Sequence, residues 1–372
     1  MLKVFEAFAG YGSQRMALEN IGINYEVVGI SEVDEGAILS YSAIHNDLKK
    51  KLDEFSIIDG QEMVEYLEQI NVPLDYRTFK NKACSLKGDR LRRQYIANKI
   101  SNNFGDIRKI DPKKLPDFDF FTYSFPCQDI SVAGYQKGLD NGSGTRSSLL
   151  WECIKIIKEK RPKYLMMENV KNLVGQKHLK NFENFLDILE KLGYTNYWDV
   201  LNSKDYNIPQ SRSRVFCISI LGGNEKQYTF PEEEELTLKI EDLLEDNPDK
   251  RFYLKNNQVT SSPIKQKYIY CLDSNYWKGT FLKDFLESRR RQLVSGEKDE
   301  NGNYPSRRLT PKETWRFMGV KDEDFEKAAF FNSNTNLYRQ SGNSIVVPVL
   351  EKIFINLFIV GREKDECKGK IN

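Results

Sequence analysis

The chain has 372 residues, of which 40% are hydrophobic and 30% are charged. This length and composition are typical of a globular protein with one large and one smaller domain. The 56 Lys and Arg residues nearly balance the 54 Asp and Glu residues, so the formal net charge is only +2. A uniformly basic protein is therefore excluded, and any surface for a nucleic acid has to come from local clusters of arginine. No apolar run approaches the ~20 residues that span a bilayer, so we expect no membrane association and a cytoplasmic protein.

The cysteines and histidines limit the metal and redox chemistry of the protein. No two cysteines form a C-x-x-C pair, and only two histidines are present. We therefore expect no metal site and no disulfide bonds, as in a reducing cytoplasm. These residues are Cys84, Cys127, Cys153, Cys217, Cys271, Cys367, His45 and His178.

Short apolar runs alternate with amphipathic stretches through the first 220 residues. This alternation predicts an α/β fold with a doubly wound, mostly parallel sheet. The predicted strands are 3–8, 26–30, 118–124, 164–167 and 215–220, and the predicted helices are 13–22, with Ser13 as its cap, 34–45 and 151–160.

The pattern becomes polar and irregular after residue 220, and regular patterns return only at 310–317 and 344–358. A change of this kind indicates a second domain. We predict a cofactor-binding and catalytic domain at 1–220, a smaller domain at 221–334, and a C-terminal segment at 335–372 that returns to the first domain.

The most distinctive residues stand where the predicted strands end. Phe8-Ala9-Gly10 follows the first strand, Glu32 the second, Pro126-Cys127 the third and Glu168-Asn169 the fourth. Because ligands bind outside the carboxyl ends of the strands in such sheets, this placement predicts one composite site.

The turn at residues 8–13 contains Gly10 and Gly12, and its small residues would let a nucleotide-like ligand approach the backbone. Glu32, at a spacing of ~20 residues, would bind ribose hydroxyls. An ordinary strand-to-helix turn explains the glycines equally well. Arg15 replaces the third glycine of a dinucleotide-binding G-x-G-x-x-G motif, which argues against a dehydrogenase.

Cys127 directly follows an apolar strand and the dipeptide Phe125-Pro126. Proline restricts its own φ and the residue before it, so the cysteine is held in a stiff turn beside the predicted pocket. This placement makes Cys127 a candidate nucleophile, and a buried inert cysteine, which is the commoner fate of a cytosolic cysteine, is the alternative. Glu168 is placed to protonate a ring nitrogen, and a helix cap is the alternative there.

Arg212 and Arg214 precede the predicted strand 215–220. Two residues at i and i+2 of an extended chain share a face, so the guanidinium groups are predicted to point together at a phosphate or a base carbonyl. Exposed arginines in front of a strand are the alternative.

Taken in order, these segments resemble the DNA cytosine-5 methyltransferase family. The joint order and spacing of the segments carry the resemblance, and residues 46–103 and 221–304 contribute little to it. The segments are Phe8-Ala9-Gly10-x-Gly12, Gly105-Asp106-Ile107, Phe125-Pro126-Cys127-Gln128, Glu168-Asn169-Val170, Gln210-x-Arg212-x-Arg214 and Gln340-Ser341-Gly342-Asn343-Ser344, with a further similarity at Arg308-Leu309-Thr310-Pro311 and Phe317-Met318-Gly319.

The resemblance implies a reaction and a role for four residues. Cys127 would add to carbon 6 of cytosine, and Glu168 would protonate ring nitrogen 3. Arg214 would contact the base carbonyl and orient Glu168, whereas Arg212 would hold a phosphate or support the pocket.

The resemblance also implies S-adenosyl-methionine as methyl donor, leaving as S-adenosyl-homocysteine, and no metal. Glu32 would bind the ribose, Asp106 would accept from the adenine amino group, and Ile107 would pack on the ring. Val33 and Ser13 stand where a bulkier residue and a glycine are common in the family. The implied cofactor-binding residues are Phe8, Ala9, Gly10, Tyr11, Gly12, Ser13, Glu32, Val33, Asp106, Ile107, Pro126, Leu149, Asn343 and Ser344.

Double-stranded DNA is the implied substrate, and the target cytosine has to flip out of the duplex. The loop after Cys127 is rich in glycine, at positions 134, 138, 142 and 144, which predicts a hinged loop that closes over the DNA. The smaller domain is expected to recognise the target sequence through the major groove. The expected DNA contacts are Gln128, Ser131, Arg289, Arg290, Arg291, Arg307 and Arg308, and a solvated surface is the alternative for the arginines.

A tRNA cytosine-5 methyltransferase of the same architecture and a catalytically silent DNA-binding regulator are the alternatives. The variable region of ~80 residues favours DNA, since recognition of a duplex sequence needs such a module. The presence of Cys127, Glu168 and both arginines argues against a silent regulator. The resemblance further implies a monomer of bacterial or phage origin, with a role in restriction–modification beside a cognate endonuclease acting on the same site.

Overall fold

The computed structural model describes residues 1–55, 58–75, 78, 80–125, 149–224, 227–254, 266–278, 291–295, 300, 302 and 304–360. These residues divide into two compact units. Unit 1 consists of the described residues of Met1–Leu201, Ser213–Pro231 and Leu350–Asn372, and unit 2 of those of Asn202–Arg212 and Glu232–Val349.

The main sheet has six strands: β1 Leu2–Ala7, β2 Tyr25–Ser31, β3 Phe120–Tyr123, β4 Tyr164–Val170, β5 Tyr194–Asn202 and, after the short β6 Gln210–Ser211 of unit 2, β7 Ser213–Leu221. Their order is β2-β1-β3-β4-β7-β5. The pairs β1–β2, β1–β3 and β3–β4 are parallel, and β7 runs antiparallel to β4. The predicted α/β fold with a mostly parallel sheet is therefore confirmed.

The three predicted helices of unit 1 are present, and four further helices were not predicted, three of them within residues 46–103 and one after β4. Helix α1 differs from the prediction at its start, because Gly12 in the left-handed region (φ 85°) is the cap residue and Ser13 is the buried first residue of the helix. Asp34 caps α2 by accepting from the backbone N–H of Ala37 (2.6 Å). The bounds are α1 Ser13–Asn20, α2 Glu35–His45, α3 Leu48–Glu54, α4 Gly60–Gln69, α5 Gly88–Ile100, α6 Leu150–Lys160 and α7 Leu179–Lys191.

The central strands are apolar on both faces, as expected for parallel strands that helices cover on both sides. Every residue of β3 and five of the seven residues of β4 are buried. The core joins Phe5, Phe121 and Met167 of the strands to Ile157 of α6 and Phe182 of α7. Burial on this scale fixes the strand register, because a slip by one residue would turn each side chain to the opposite face.

The sheet topology brings the ends of five strands to one edge. Strands β1 to β4 are parallel, so Phe8, Glu32, Phe125 and the end of β4 at Glu168–Val170 lie along this edge. Strand β7 is antiparallel, so its first residues, including Arg214, lie there too. The edge is therefore the place where a site in unit 1 can form.

Unit 2 has a smaller core and little regular sheet. Its two-stranded sheets are β6 with β8 Ile269–Tyr270, and β9 Leu293–Ser295 with β10 Ser306–Arg308. Thr310 caps the first helix by accepting from Glu313 N (3.1 Å), and Glu313 Oε2 accepts from Thr310 N (2.7 Å). The helices are Pro311–Arg316, Asp322–Ala329 and Asn334–Asn343, and Val347–Ile355 crosses the boundary into unit 1.

The compact units differ from the predicted domain boundaries in three short segments. Residues 202–212 and 335–349 pack in unit 2, although the sequence pattern assigned them to the first domain and to a returning C-terminal segment. The described residues of 221–231 pack in unit 1, although they were assigned to the smaller domain. Buried Gln210 explains the first segment, because its Nε2 donates to Phe317 O (2.8 Å) and its Oε1 accepts from Leu272 N (3.0 Å). Contacts between residues more than 60 positions apart cannot be predicted from the local pattern of apolar and polar residues. The functional assignment of each domain stays a prediction.

By length and composition, the stretch Asn334–Val360 is long and apolar enough to cross a membrane. No apolar run of this length had been found in the sequence analysis. Half of its most apolar window is buried within the protein. Leu337 and Tyr338 are buried in unit 2, and Phe354 and Phe358 pack edge-on against Phe120 of the sheet. Packing of this kind is what core helices show, so the stretch is weak support for a membrane span.

Candidate functional site

Glu32 connects the two turns that follow β1 and β2. Its Oε2 accepts from Gly10 N (2.8 Å), and its Oε1 accepts from Val33 N and Asp34 N (both 2.7 Å). A carboxylate can accept about four hydrogen bonds, so these three donors leave one position, on Oε2. Glu32 thus holds the glycine turn in place and still offers one acceptor.

Burial and, after it, the neighbouring Asp34 carboxylate raise the pKa of Glu32 to about 7, against the opposing effect of the backbone N–H groups. A raised pKa means that Glu32 keeps its proton to higher pH in the folded protein than in the unfolded chain. The stabilisation from that proton is fully present below pH 4.5 and is lost as the pH rises through about 7. Near neutral pH this carboxyl group therefore exchanges between two charge states, which affects what it can bind.

The two glycines of the turn after β1 have different roles. A Cβ on Gly12 would lie 2.4 Å from Nε2 of His45, and Gly12 adopts a φ of 85°, so no other residue fits. A Cβ on Gly10, in contrast, would have no atom within 4 Å. Gly12 is required by packing inside the protein, and Gly10 keeps the space above the turn open.

A cleft of about 340 Å³, including the part open to solvent, opens at this edge of the sheet. Six of the predicted cofactor-binding residues line it, which are Phe8, Glu32, Val33, Asp106, Ile107 and Leu149. Ser31, Leu74 and Arg108 complete the lining and were not predicted. The cleft combines two carboxylates with apolar walls, which suits a ligand that has both hydroxyl or amino donors and a flat apolar ring.

Two asparagines that support the cleft were missed by the sequence analysis. Asn103 accepts from Glu32 N through Oδ1 (3.0 Å) and donates to Glu32 O through Nδ2 (2.9 Å), so one side chain holds both backbone groups of Glu32. Asn71 donates to Asp106 Oδ2 (2.7 Å). The one signal in the sequence was that Asn103 lies two residues before the family segment Gly105-Asp106-Ile107.

The remaining predicted cofactor residues are not among those that line the cleft. Ala9, Tyr11 and Ser13 are buried in or beside the glycine turn. Asn343 is exposed and Ser344 half-buried, and both belong to unit 2. Pro126 lies outside the described residues. Cofactor contacts from these residues stay predictions.

Cys127, the predicted nucleophile, lies outside the described residues, as do Gln128, Ser131 and the glycine-rich loop. The chain is described up to Phe125, whose carbonyl oxygen accepts from Nδ2 of Asn169 (2.9 Å). Asn169 therefore joins the end of β4 to the residue that stands two places before the cysteine.

Glu168 and Arg214 form a largely buried ion pair, with 3.2 Å between Oε1 and Nε. The pair follows from the sheet register, because Glu168 lies opposite Phe216 and Val170 opposite Arg214. Glu168 and Arg214 are thus diagonal neighbours on one face of an antiparallel pair, within reach of long side chains. The predicted association of these two residues is present in the structure.

Arg212 has a different environment from the one predicted. Its Nη1 donates to Leu272 O (2.8 Å), and its Nη2 donates to Gly342 O (3.0 Å) and Ser344 O (2.6 Å). The residue lies between β6 and β7 rather than within a strand, so the two-residue alternation that predicted a shared face with Arg214 does not apply. The three carbonyl contacts favour the second role implied for Arg212, which is support of the pocket, and its place among the catalytic residues stays a prediction.

The predicted basic DNA contacts are only partly described. Arg289 and Arg290 lie outside the described residues, and Arg291 is half-buried with a φ of 51°. Arg307 is buried and makes two 2.7 Å bonds to Glu313, which corrects its prediction as a DNA contact. Arg308, by contrast, is half-buried, with its guanidinium carbon 5.5 Å from the centre of the Phe252 ring.

We expect Arg307→Ala to lower the free energy of unfolding by about 3–5 kcal/mol, because Glu313 would be left as a buried charge without its partner. Urea denaturation followed by circular dichroism measures this change. The matched control is Arg308→Ala, which should cost less than about 1 kcal/mol, as half-exposed charges do. Equal stability of Arg307→Ala and the parent protein would show that the buried pair does not form.

Within the described residues, no three His, Cys, Asp or Glu side chains come close enough together to hold a metal ion. A mostly parallel sheet with an acid-containing cleft at the carboxyl ends of its strands is the architecture of an enzyme that binds a nucleotide-like cofactor.

Comparisons with known proteins define the class further. The family of C-5 cytosine-specific DNA methylases matches residues 58–358. Type II methyltransferase M2.ScrFI of Lactococcus lactis subsp. cremoris is 66% identical over 358 residues, covering 96% of this chain and 99% of that protein. Orphan methyltransferase M.SssI of Spiroplasma monobiae is 35% identical over 386 residues, covering 95% of this chain and 96% of that protein. The crystal structure of the S. pombe Dnmt2 methyltransferase shares the fold, with a TM-score of 0.64, 18% identity and coverage of 96% of this chain and 98% of that one.

The chain belongs to the C-5 cytosine-specific DNA methylases. It is an enzyme that methylates carbon 5 of cytosine in DNA, as the order of its segments predicted. Membership in the family implies S-adenosyl-methionine as the methyl donor and DNA as the substrate.

Proposed function

We propose that the protein methylates a flipped-out cytosine within a specific sequence of double-stranded DNA, with Cys127 as the covalent nucleophile. The buried ion pair of Glu168 with Arg214 carries this proposal. It places a carboxyl group, with a guanidinium group beside it, at the sheet edge where β3 leads towards Cys127. A base whose ring nitrogen needs a proton and whose carbonyl needs a donor suits this pair.

The cleft in unit 1 has the donors, acceptors and apolar walls that S-adenosyl-methionine requires. When bound, this cofactor supplies an electrophilic methyl group on a sulfonium. Glu32 Oε2 has one acceptor position left for a ribose hydroxyl. Asp106 would accept from the adenine amino group, with Val33 and Ile107 as apolar neighbours of the ring.

We expect cofactor affinity to rise with pH through the titration of Glu32. The three backbone donors leave Oε2 as the place for a proton, and that position is also the one for the ribose hydroxyl. With a pKa of about 7, the protonated form prevails at pH 6 and the ionised form at pH 8. The affinity for S-adenosyl-homocysteine should therefore increase about tenfold from pH 6 to pH 8.

Isothermal titration calorimetry at both pH values measures this change, and binding near pH 7 should also release protons to the buffer. Glu32→Gln should bind more weakly and lose the pH dependence. The control is Glu35→Gln, since Glu35 lies close in sequence but pairs with Arg90 at the surface. A pH dependence that persists in Glu32→Gln would assign the titration to another group.

The covalent step begins with the thiolate of Cys127. Its sulfur would bond to carbon 6 of cytosine, and the electrons of the carbon 5–carbon 6 double bond would make carbon 5 nucleophilic while nitrogen 3 takes a proton from Glu168. Carbon 5 then accepts the methyl group. A base, such as a water molecule, removes the proton from carbon 5, which restores the double bond and expels the thiolate, while nitrogen 3 returns its proton to Glu168.

Arg214 would keep Glu168 in position and donate to the base carbonyl. Its Nε faces Glu168 Oε1, and its Nη1 donates to the backbone oxygen of Ser213 (2.8 Å), so the guanidinium group is held at two points. A planar guanidinium group fixed in this way can direct further N–H donors at one acceptor.

We propose unit 2 as the part of the protein that recognises the target sequence, with Arg289 to Arg291 and Arg308 as DNA contacts. Gln128 and Ser131 would contact the DNA near the flipped base. Flipping costs a few kcal/mol, which contacts in the pocket would offset.

The names of the relatives support a cellular role. The relative from Lactococcus lactis is named a type II methyltransferase. We propose by similarity that this protein acts in restriction–modification in a bacterial or phage setting, in the cytoplasm and as a monomer, and protects the site of a cognate endonuclease.

Methylation of unmethylated genomic DNA by the purified protein and S-adenosyl-methionine, followed by bisulfite sequencing, tests the proposal. Protected cytosines within one short motif are expected. Transfer of tritiated methyl groups to tRNA instead of duplex DNA would contradict the proposed substrate. Absence of transfer to either, with the cofactor still bound, would contradict the proposed mechanism.

A further inference from the structure

The segment Ile70–Leu74, here termed the base-end segment, is bound to the cofactor cleft at three points. Asp106 N donates to Ile70 O (3.1 Å), Asn71 Nδ2 donates to Asp106 Oδ2 (2.7 Å), and Leu74 N donates to Val33 O (3.1 Å). The segment lies outside the motifs by which the sequence resembles the family, although the family match as a whole covers residues 58–358. Its contacts nevertheless go to two residues that line the cleft.

Gly105 shows how closely the base-end segment approaches. A Cβ on Gly105 would lie 1.8 Å from the carbonyl oxygen of Ile70, and the residue has a φ of 73°. Only glycine satisfies both conditions. The close approach of the base-end segment therefore requires glycine at position 105, directly before Asp106.

Leu74 forms part of the cleft wall. It is buried, and it lines the cleft together with Val33 and Ile107. Val33 and Ile107 give this wall apolar surface from the residues that follow β2 and Gly105. The side chain of Leu74 supplies such surface from a different part of the chain.

Asn71 restricts the orientation of the Asp106 carboxylate. Its Nδ2 binds Asp106 Oδ2, and its own Oδ1 accepts from Nδ2 of Asn81 (3.2 Å). Arg108 binds both oxygens of the same carboxylate from the other direction. With the backbone N–H of Arg108 on Oδ1 (3.1 Å), these donors occupy the about four acceptor positions of the carboxylate. The adenine amino group would therefore replace a contact of the partly exposed Arg108 side chain, while Asn71 keeps the carboxylate in position.

We propose that the base-end segment completes the adenine end of the cofactor cleft, with Leu74 in contact with the adenine ring and Asn71 as a positioning residue for Asp106. This inference rests on the proposed cofactor site. It assigns a role to residues outside the family segments.

The first experiment compares the affinities of Leu74→Ala and the parent protein for S-adenosyl-homocysteine by calorimetry. We expect Leu74→Ala to weaken binding about tenfold, as the loss of a hydrophobic contact with a ligand does. The matched control is Leu67→Ala, because Leu67 is a fully buried leucine of α4 that does not line the cleft. Its affinity should stay within about twofold of the parent value. An unchanged affinity of Leu74→Ala would overturn the role of Leu74.

The second experiment tests Asn71 by ligand discrimination, which a merely structural role would not alter. Asp106 as an acceptor should favour the 6-amino group of S-adenosyl-homocysteine over the 6-oxo group of S-inosyl-homocysteine. Asn71→Ala should reduce this preference several-fold, whereas Leu74→Ala should weaken both ligands alike and keep their ratio. An unchanged ratio in Asn71→Ala would overturn the positioning role.

Hydrogen exchange on the parent protein gives a test that needs no variant. Binding of S-adenosyl-homocysteine should slow exchange in peptides that cover residues 70–74 and 32–34, and leave α4 unaffected. Binding without protection of 70–74 would overturn this inference alone. Failure of the parent protein to bind S-adenosyl-homocysteine would overturn the proposed cofactor site as well.

Discussion

Cys127→Ala should abolish methyl transfer to DNA while its affinity for S-adenosyl-homocysteine stays at the parent value. Carbon 5 of cytosine is a poor nucleophile until a thiolate adds to carbon 6, and alanine offers no atom that could do so. Enzymes accelerate their reactions by at least about 10⁶-fold, and a step that depends on one sulfur should lose most of this. Incorporation of tritiated methyl groups into duplex DNA measures the loss.

The covalent adduct can be observed directly with a duplex that carries 5-fluorocytosine at the target position. After methyl transfer, carbon 5 of this base has no proton to lose, so the bond between sulfur and carbon 6 persists. The parent protein should form a complex that survives denaturing electrophoresis, and Cys127→Ala should form none. Cys84→Ala is the control, because Cys84 is an exposed free cysteine far from the predicted site in the sequence. A denaturant-resistant complex in Cys127→Ala would assign the nucleophile to another residue.

Glu168→Gln should reduce kcat by about 10²–10⁴-fold, the usual contribution of a positioned general acid. The amide keeps the shape of the side chain but has no acidic proton to give to nitrogen 3. Binding of S-adenosyl-homocysteine should be unaffected, since Glu168 does not line the cofactor cleft. Single-turnover kinetics with a cognate duplex separate the chemical step from DNA binding.

Arg214→Ala should lower the same rate, because Glu168 would lose the guanidinium group 3.2 Å from its Oε1. The effects of the two changes should not add, and the double variant should be only slightly slower than the poorer single variant. Arg90→Ala is the control, since Arg90 forms an exposed pair with Glu35 and such pairs contribute little. Fully additive effects would mean that the ion pair has no part in the reaction.

The position of a residue could be predicted from the sequence where it depends on the end of a strand. Phe8, Glu32 and Glu168 each directly follow or end an apolar run, and parallel strands bring such positions to one edge whatever the details of packing. The family resemblance implied Asp106, Ile107 and Leu149 as cofactor-binding residues, and all three line the cleft, while their contact with the cofactor stays a prediction.

Arginine was the residue type for which the sequence was least informative. Arg212 and Arg214 are two positions apart, yet one donates to carbonyl oxygens as far as Ser344 and the other pairs with Glu168. Arg307 and Arg308 are adjacent, and only the first is buried against Glu313. A long side chain can reach in many directions, so its partner depends on which distant segments pack around it.

The family and the α/β fold could be inferred from the amino-acid sequence alone, because both follow from residue type and order along the chain. Which residues complete the cleft, and where the compact units divide, became evident only from the folded protein. Asn71 and Leu74 reach the cleft through contacts with residues more than 30 positions away, and residues 202–212 join unit 2 through the side chain of Gln210. Such contacts arise only when the whole chain is packed, so no local pattern of residues could have predicted them.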